Sequence, residues 1–217
     1  MTDSSSPVTE EAPEGRPASN LNPANIVTIA RILLIPLFLV LLLTTFTGWW
    51  AKWLAAAVFA VLAGTDAVDG YLARSRNEVT TFGKFIDPLA DKLLVTAALI
   101  GLVQLGELPA WIAILIISRE FIVSGLRMVA VAEGKVVIAA SNLGKLKTVA
   151  QIVAIVMFIV KGSPTIVHTL GVQGAYWFNV VAWTTMVAAL LLTIWSMIDY
   201  FYHARAVLAG PWRRDHA

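Results

Sequence analysis

Six long apolar stretches divide the chain and limit what it can fold into. They cover residues 26–46, 51–74, 85–105, 110–132, 147–161 and 176–202. As helices rising ~1.5 Å per residue, they can cross a hydrocarbon core of ~30 Å, although the fifth is long enough only if it begins near Asn142. Closed barrels are the other fold that satisfies its backbone in lipid, but these runs lack the alternation of barrel strands. The sequence therefore predicts an all-α integral membrane protein with six transmembrane helices.

The composition agrees with a membrane location. Hydrophobic residues make up 58% of the 217 positions and charged residues only 14%, whereas about one quarter of a soluble domain is charged. The chain has no cysteine, which excludes disulfides and thiolate chemistry. Its basic residues are scattered among apolar runs, so we expect no nucleic-acid partner.

The two ends of the chain differ from its middle. Residues 1–24 are polar, acidic and rich in proline, without the basic start and apolar core of a signal peptide. We predict that they form a disordered tail. A six-helix transmembrane domain is expected over residues 25–205, followed by a short C-terminal tail over residues 206–217.

The distribution of charge among the connections predicts an orientation. Basic residues collect between spans two and three, between spans four and five, and after span six: Arg74, Arg76, Lys84, Arg127, Lys135, Lys145, Lys147, Arg205, Arg213 and Arg214. The other connections contain only Lys52, Glu107 and Lys161. Because basic loops stay in the cytoplasm, both termini are predicted to be cytoplasmic.

Four aspartates interrupt this apolar chain at a regular spacing. Residues 66–91 follow the pattern D-x2-D-G-x2-A-R-x8-G-x3-D-x3-D. Asp66 and Asp69 share one face of span two, and Asp87 and Asp91 share one face of span three. Ionisable groups at membrane depth are costly and usually mark a site. The pattern predicts a polar cavity that is open to the cytoplasm.

The chemistry of these carboxylates suits hard cations. Four of them at close range repel and need cations or protons, unless Arg74 and Arg76 merely pair with them. Oxygen ligands without His or Cys favour Mg²⁺, Mn²⁺ or Ca²⁺ over zinc. Two such ions can clamp a phosphoanhydride, and a remaining carboxylate can accept the proton of an attacking hydroxyl.

This segment resembles the signature of the CDP-alcohol phosphatidyltransferases. The matching positions are Asp66, Asp69, Gly70, Ala73, Arg74, Gly83, Asp87 and Asp91. The resemblance implies a six-helix fold, a homodimer, a multi-pass location in the plasma membrane, and dependence on divalent metal, with two Mg²⁺ or Mn²⁺ ions expected. It also implies the transfer of a phosphatidyl group from CDP-diacylglycerol to an alcohol, with release of CMP.

The same resemblance assigns roles to residues. Asp66, Asp69 and Asp87 would be metal ligands, and Asp91 would be the general base as well as a further contact of the metal. The residues expected to line the CDP-diacylglycerol site are Asp66, Asp69, Gly70, Ala73, Arg74 and Gly83. Gly83 serves either the turn between the helices or the close approach of the ligand.

Three polar residues on span one extend this candidate site. Asn25, Thr28 and Arg31 are three residues apart and share a helical face. They either contact the nucleotide and its metals or make polar packing contacts between helices. We include Asn25 and Thr28 among the candidates for CDP-diacylglycerol binding.

Cationic residues on spans four and five are candidates for binding an acceptor phosphate. Arg119 either pairs with Glu120 or an aspartate, or binds the acceptor, and Arg127 either snorkels or binds it. On span five, Thr148 shares a face with Gly144 and Gln151, which favours Lys145 as the inward lysine and Lys147 as the snorkelling one. The full candidate set is Arg119, Arg127, Lys145, Lys147 and Thr148.

The acceptor is predicted from further resemblance. Residues 22–36, 117–127 and 141–151 resemble the family members that use sn-glycerol 3-phosphate and produce phosphatidylglycerophosphate and CMP. Inositol phosphate and phosphatidylglycerol are alternative acceptors within the family. A divalent-cation transporter is an alternative of a different class, although such proteins often carry inverted repeats and this chain shows none.

Overall fold

The computed structural model describes residues 23–44, 50–75, 81–132, 142–161 and 163–208, with side chains over 26–44, 50–65, 89–90, 92–128, 146–161 and 163–202. Within these residues the chain forms six helices and no strand. The helices are α1 (Pro23–Leu43), α2 (Ala51–Ser75), α3 (Thr81–Gln104), α4 (Ala110–Ala132), α5 (Asn142–Lys161) and α6 (Pro164–Leu208). The prediction of an all-α fold is confirmed for this part of the chain.

Two helices begin earlier than their apolar runs indicate. Helix α5 starts at Asn142, the longer of the two lengths considered for span five. Helix α6 starts at Pro164, twelve residues before the apolar run at 176–202, so the part of α6 that precedes Gly171 was not predicted. The overlooked signal is the N-terminal cap, because Ser163 Oγ accepts a hydrogen bond from the Thr165 N–H (3.3 Å) and proline occupies the first helical position. Gly171, at φ 69° and ψ 177°, then breaks α6 locally.

The turn between α3 and α4 is closed by a glycine. Gly106 has φ 70°, a conformation that costs L-residues with a Cβ. Its N–H donates to the Val103 carbonyl, and the Glu107 N–H donates to the Leu102 carbonyl, each at 3.0 Å. This Schellman pattern satisfies two of the last carbonyls of α3 and turns the chain directly into α4.

The packing order of the helices leaves α4 and α5 without an extended interface. Helix α1 packs against α2 and α3, α5 packs against α2, α3 and α6, and α4 packs against α3 and α6. In the described part of the chain, α4 and α5 share no extended interface, although both flank α6 and α3. The space between α4 and α5 is therefore bridged by side chains rather than closed by backbone packing.

The interior combines an apolar core with buried polar groups. Phe38 and Phe59 stack with their ring centroids 5.6 Å apart, and Phe158 meets Trp183 edge to face at 5.0 Å. Buried among the helices are also the polar or charged residues Thr28, Arg31, Arg119, Lys147, Gln151, Ser163, Thr193 and Ser196. Three of these buried residues, Arg31, Arg119 and Lys147, are basic, although Arg and Lys are almost never fully buried unless they are paired.

The outer surface is unusually apolar. Large hydrophobic side chains are exposed along every helix, among them Leu33 (71%), Ile114 (63%) and Val172 (80%). Among the described residues, Ile26–Leu43 and Pro164–Tyr202 are long and apolar enough to cross a membrane. Shorter apolar segments occur at Ala51–Thr65 and Lys92–Gln104. An exposed apolar exterior around buried charges is typical of a protein in contact with lipid.

Candidate functional site

The four aspartates lie at the connected ends of two neighbouring helices. Asp66 and Asp69 belong to the last three turns of α2, and Asp87 and Asp91 to the first three turns of α3. Helices α2 and α3 are in contact. The side chains of these aspartates lie outside the described residues, as do those of the other predicted ligands of the nucleotide, Asn25, Gly70, Ala73, Arg74 and Gly83.

The donor set in this segment fits a hard divalent cation. The helical backbone puts each pair of aspartates about one turn apart, so two adjoining helices each offer two carboxylates. All of these donors are oxygens, and the chain has no cysteine to offer sulfur. Oxygen donors of this kind suit Mg²⁺ or Mn²⁺.

A buried arginine on α1 reaches the α2 end of the aspartate segment. Arg31 is 2% exposed, and its Nε donates a hydrogen bond to Thr65 Oγ1 over 3.1 Å. Thr65 directly precedes Asp66, and its own hydroxyl donates to the Leu62 carbonyl (2.8 Å). For Arg31, the polar packing contact between helices that the sequence left open is therefore present, and it puts a guanidinium beside the first aspartate position.

A second group of charges links α4, α5 and α6, and we call it the Glu120 cluster: Arg119, Glu120, Lys147 and Ser196. Arg119 Nη1 donates to Glu120 Oε1 (3.1 Å), and Lys147 Nζ donates to the same oxygen. Arg119 Nη2 donates to Ser196 Oγ on α6 (2.7 Å). The pairing of Arg119 with Glu120 that the sequence left open is thus observed, and one carboxylate oxygen holds cations from two helices.

One donor in this cluster has no partner among the residues whose side chains are described. Arg119 is 8% exposed, and its Nε is buried without a hydrogen bond to any described residue. A buried N–H without an acceptor is costly. Since Glu120 and Ser196 occupy the outer nitrogens, the remaining N–H is available to an anionic ligand.

The position of Lys147 corrects the prediction that it snorkels to the surface. Lys147 is only 4% exposed and reaches Glu120 across the space between α4 and α5. The inward face of α5 runs from Lys147 through Gln151 to Ala154 and Phe158, whereas Thr148 is exposed. Gln151 lies one turn from both Lys147 and Thr148, so its polarity was compatible with either face.

The other predicted cations of the acceptor site stand apart or are not described. Arg127 is exposed, two turns beyond Arg119 on α4. The side chain of Lys145 lies outside the described residues. The structure therefore brings together Arg119 and Lys147 of the five predicted residues.

The sequence prediction missed two residues here, one beside the cluster and one within it. Lys92 on α3 lies within electrostatic range of Glu120, and it directly follows Asp91 in the chain. Ser196 on α6 is buried and accepts from Arg119. A lysine beside a predicted catalytic aspartate was a usable signal, whereas a serine in an apolar helix has many neutral explanations.

Comparison with known proteins identifies the family of this chain. The model of the CDP-alcohol phosphatidyltransferase family matches residues 21–195. A Bacillus subtilis protein named CDP-diacylglycerol–glycerol-3-phosphate 3-phosphatidyltransferase is 50% identical over 155 residues, which cover 66% of this chain and 79% of the relative. The residues matched by the family model contain the aspartate segment, Arg31 on α1, and Arg119, Glu120 and Lys147 of the Glu120 cluster, whereas Ser196 lies one residue beyond them.

Two further relatives match over more of the chain. A Mycobacterium tuberculosis protein named as a probable phosphatidylglycerophosphate synthase is 41% identical over 87% of this chain and 84% of its own length. An Escherichia coli K12 protein with the same name as the Bacillus relative is 37% identical, over 86% of this chain and 97% of its own. This chain belongs to the CDP-alcohol phosphatidyltransferase family, which confirms the resemblance and favours an enzyme over a cation transporter.

Proposed function

We propose that this protein transfers the phosphatidyl group of CDP-diacylglycerol to sn-glycerol 3-phosphate, giving phosphatidylglycerophosphate and CMP. The names of its relatives describe this reaction. The observation that carries the proposal is the Glu120 cluster, where cations from α4 and α5 meet in the interior. Its neighbour Lys92 directly follows Asp91, so a phosphate held at the cluster lies close to the aspartate segment.

The acceptor would be held through its phosphate. Arg119 offers a buried N–H, and Lys147 adds a second cation on the opposite side of the space between α4 and α5. Arginine and lysine are the side chains that bind phosphate by charge-assisted hydrogen bonds. A free phosphate monoester is better suited to such a cluster than an acceptor without a phosphate.

The reaction needs one bond formed and one broken. The 1-hydroxyl oxygen of glycerol 3-phosphate attacks the phosphorus that carries the diacylglycerol, and the bond between that phosphorus and the bridging oxygen of CMP breaks. Asp91 accepts the hydroxyl proton in this scheme. Asp66, Asp69 and Asp87, with Asp91, would hold two Mg²⁺ or Mn²⁺ ions, which when bound neutralise the diphosphate and the charge of the leaving CMP.

An assay of acceptors tests the substrate assignment. The purified full chain in detergent or nanodiscs is given CDP-diacylglycerol with glycerol 3-phosphate, inositol phosphate or phosphatidylglycerol, and CMP is measured. We expect CMP only with glycerol 3-phosphate, and none after exhaustive chelation until Mg²⁺ or Mn²⁺ is restored. Release of CMP with a different acceptor alone would reject the assignment, and undiminished release after chelation would reject the metal site.

The proposed membrane topology has six spans with both termini and the site on the cytoplasmic side. Basic connections between α2 and α3 and between α4 and α5 support this orientation. Because the chain has no native cysteine, single variants can be labelled cleanly. In intact cells, an impermeant maleimide should label Thr47→Cys and spare Asn77→Cys; the reverse pattern would invert the topology.

The functional unit is proposed to be a homodimer in the plasma membrane, as the resemblance to the family implies. The exposed apolar surface of the helices offers area both to lipid and to a second copy. Mass measurement of the protein in nanodiscs checks this state, and a uniform monomer with full activity would contradict it.

A further inference from the structure

We infer that Glu120 is the positioning residue that brings Arg119 and Lys147 together to bind the acceptor phosphate, an inference that rests on the proposed function. The structure adds Lys147 from a second helix to the same carboxylate oxygen. A carboxylate that only neutralised the neighbouring Arg119 would not need to bind a second cation from another helix.

The packing of the helices makes this bridge necessary. Helices α4 and α5 share no extended interface in the described part of the chain, so no direct packing between these two helices brings Arg119 and Lys147 together. Two cations in a buried space repel each other. Since Glu120 Oε1 accepts from both, its charge offsets that repulsion and determines how closely they approach.

The rest of the cluster orients Arg119. Its Nη1 is held by Glu120 and its Nη2 by Ser196 on α6, which fixes the plane of the guanidinium. The orientation of the Nε–H bond is therefore fixed as well, and this Nε is buried without a described partner. A planar donor held at two of its three nitrogens is pre-organised, so less entropy is lost when a ligand binds to it.

The cations around Glu120 outnumber its negative charge, so the cluster can bind a further anion. The cations that act on it are Arg119, Lys147 and Lys92, against its single negative charge. A phosphate monoester carries up to two negative charges and can bind beside Glu120 without displacing it. We therefore expect Glu120 to stay in place when the acceptor binds, and to favour binding rather than compete with it.

The test compares Glu120→Gln with the wild type by steady-state CMP release, varying each substrate in turn. Glutamine preserves size and one hydrogen-bond acceptor but removes the charge. We expect the KM for glycerol 3-phosphate to rise roughly tenfold or more, with little change in the KM for CDP-diacylglycerol. Glu120→Asp, which restores the charge on a shorter arm, should recover part of the loss.

A second background separates positioning from general damage. In Lys147→Met protein, Glu120 has only one cation left to position, so adding Glu120→Gln should raise the acceptor KM far less than it does in the wild type. Glu107→Gln is the matched control, since Glu107 pairs with Lys161 (3.1 Å) at the opposite end of α5 from the cluster. It should leave both KM values unchanged.

Three results would overturn the inference. A lower acceptor KM in Glu120→Gln would mean that the carboxylate competes with phosphate. Equal increases in both KM values, with a lower melting temperature, would indicate a structural role only. Additive effects of Glu120→Gln and Lys147→Met would mean that the two residues act independently. Failure of the proposed function is distinguishable, because the wild type would then release no CMP with glycerol 3-phosphate.

Discussion

Two groups of charged residues lie at opposite ends of α5, and they differ in whether their hydrogen-bond donors have partners among the described residues. At one end, Lys161 donates to the Glu107 carboxylate and carbonyl and lies over the rings of Phe158 (4.3 Å) and Trp183 (5.3 Å). At the other, the Glu120 cluster leaves Arg119 Nε without a described partner. Lys147 and Lys161 are about 21 Å apart along the helix.

This difference separates a structural ion pair from a binding site. The lysine at the Glu107 end is surrounded by a carboxylate and two aromatic rings, so no further anion is required there. At the Glu120 end, three cations act on one carboxylate, and the nearby α3 position carries Asp91. Burial of charge alone is therefore a weak sign of function, and the unsatisfied donor is the informative feature.

The largest expected effect comes from Asp91, beside the Glu120 end. Asp91→Asn removes the proposed proton acceptor but retains the size of the side chain. Turnover should fall roughly a thousandfold, while binding of CDP-diacylglycerol, measured by calorimetry, should persist. Normal turnover would show that the chemistry does not depend on this aspartate and would remove one reason to assign function to this end.

Arg119→Ala should have the next largest effect. It removes two charge-assisted hydrogen bonds and the available Nε, so we expect the acceptor KM to rise roughly tenfold to a hundredfold. The KM for CDP-diacylglycerol should change much less, as measured by CMP release at saturating levels of the other substrate. Equal effects on both constants would count against a role in acceptor binding. Lys161→Met is the matched removal of a partly buried cation at the other end, and it should leave the acceptor KM unchanged.

Thr65→Val tests the contact between α1 and the aspartate segment. Valine has nearly the same shape but cannot accept the hydrogen bond from Arg31, which is buried. We expect a loss of about 1–3 kcal/mol in the free energy of unfolding, and a several-fold rise in the KM for CDP-diacylglycerol rather than for the acceptor. Thr184→Val, which removes an exposed hydroxyl on α6, is the control. A Thr65→Val protein with unchanged stability would argue that the contact is incidental.

The smallest effect should come from the Glu107 end. Glu107→Gln weakens a partly exposed ion pair with Lys161, so we expect a loss of about 0.2–1 kcal/mol and a melting temperature lower by a few degrees at most. Both KM values should match the wild type in the CMP assay. A large change in either constant would mean that the two ends of α5 are coupled, and the contrast between them would fail.

The sequence alone was enough to predict the helical fold and the family. Apolar run length and the cost of charge in lipid are local properties, so the six helices and the segment from Asp66 to Asp91 could be recognised without knowing which helices are neighbours. The start of α6 was missed because apolar length was followed in preference to the cap at Ser163 and Pro164. Both signals are local, and the cap is the more precise one.

Only the tertiary structure decided which charges meet. The inward position of Lys147, its bridge to Glu120, and the contacts of Ser196 and Arg31 depend on how α1, α4, α5 and α6 are placed around the core. The helical repeat shows which residues share a face. It does not show which face is buried, because Gln151 shares one face with Lys147 and another with Thr148. That choice is made by the packing of the whole bundle, because a buried lysine is stable only where another helix supplies its counter-charge.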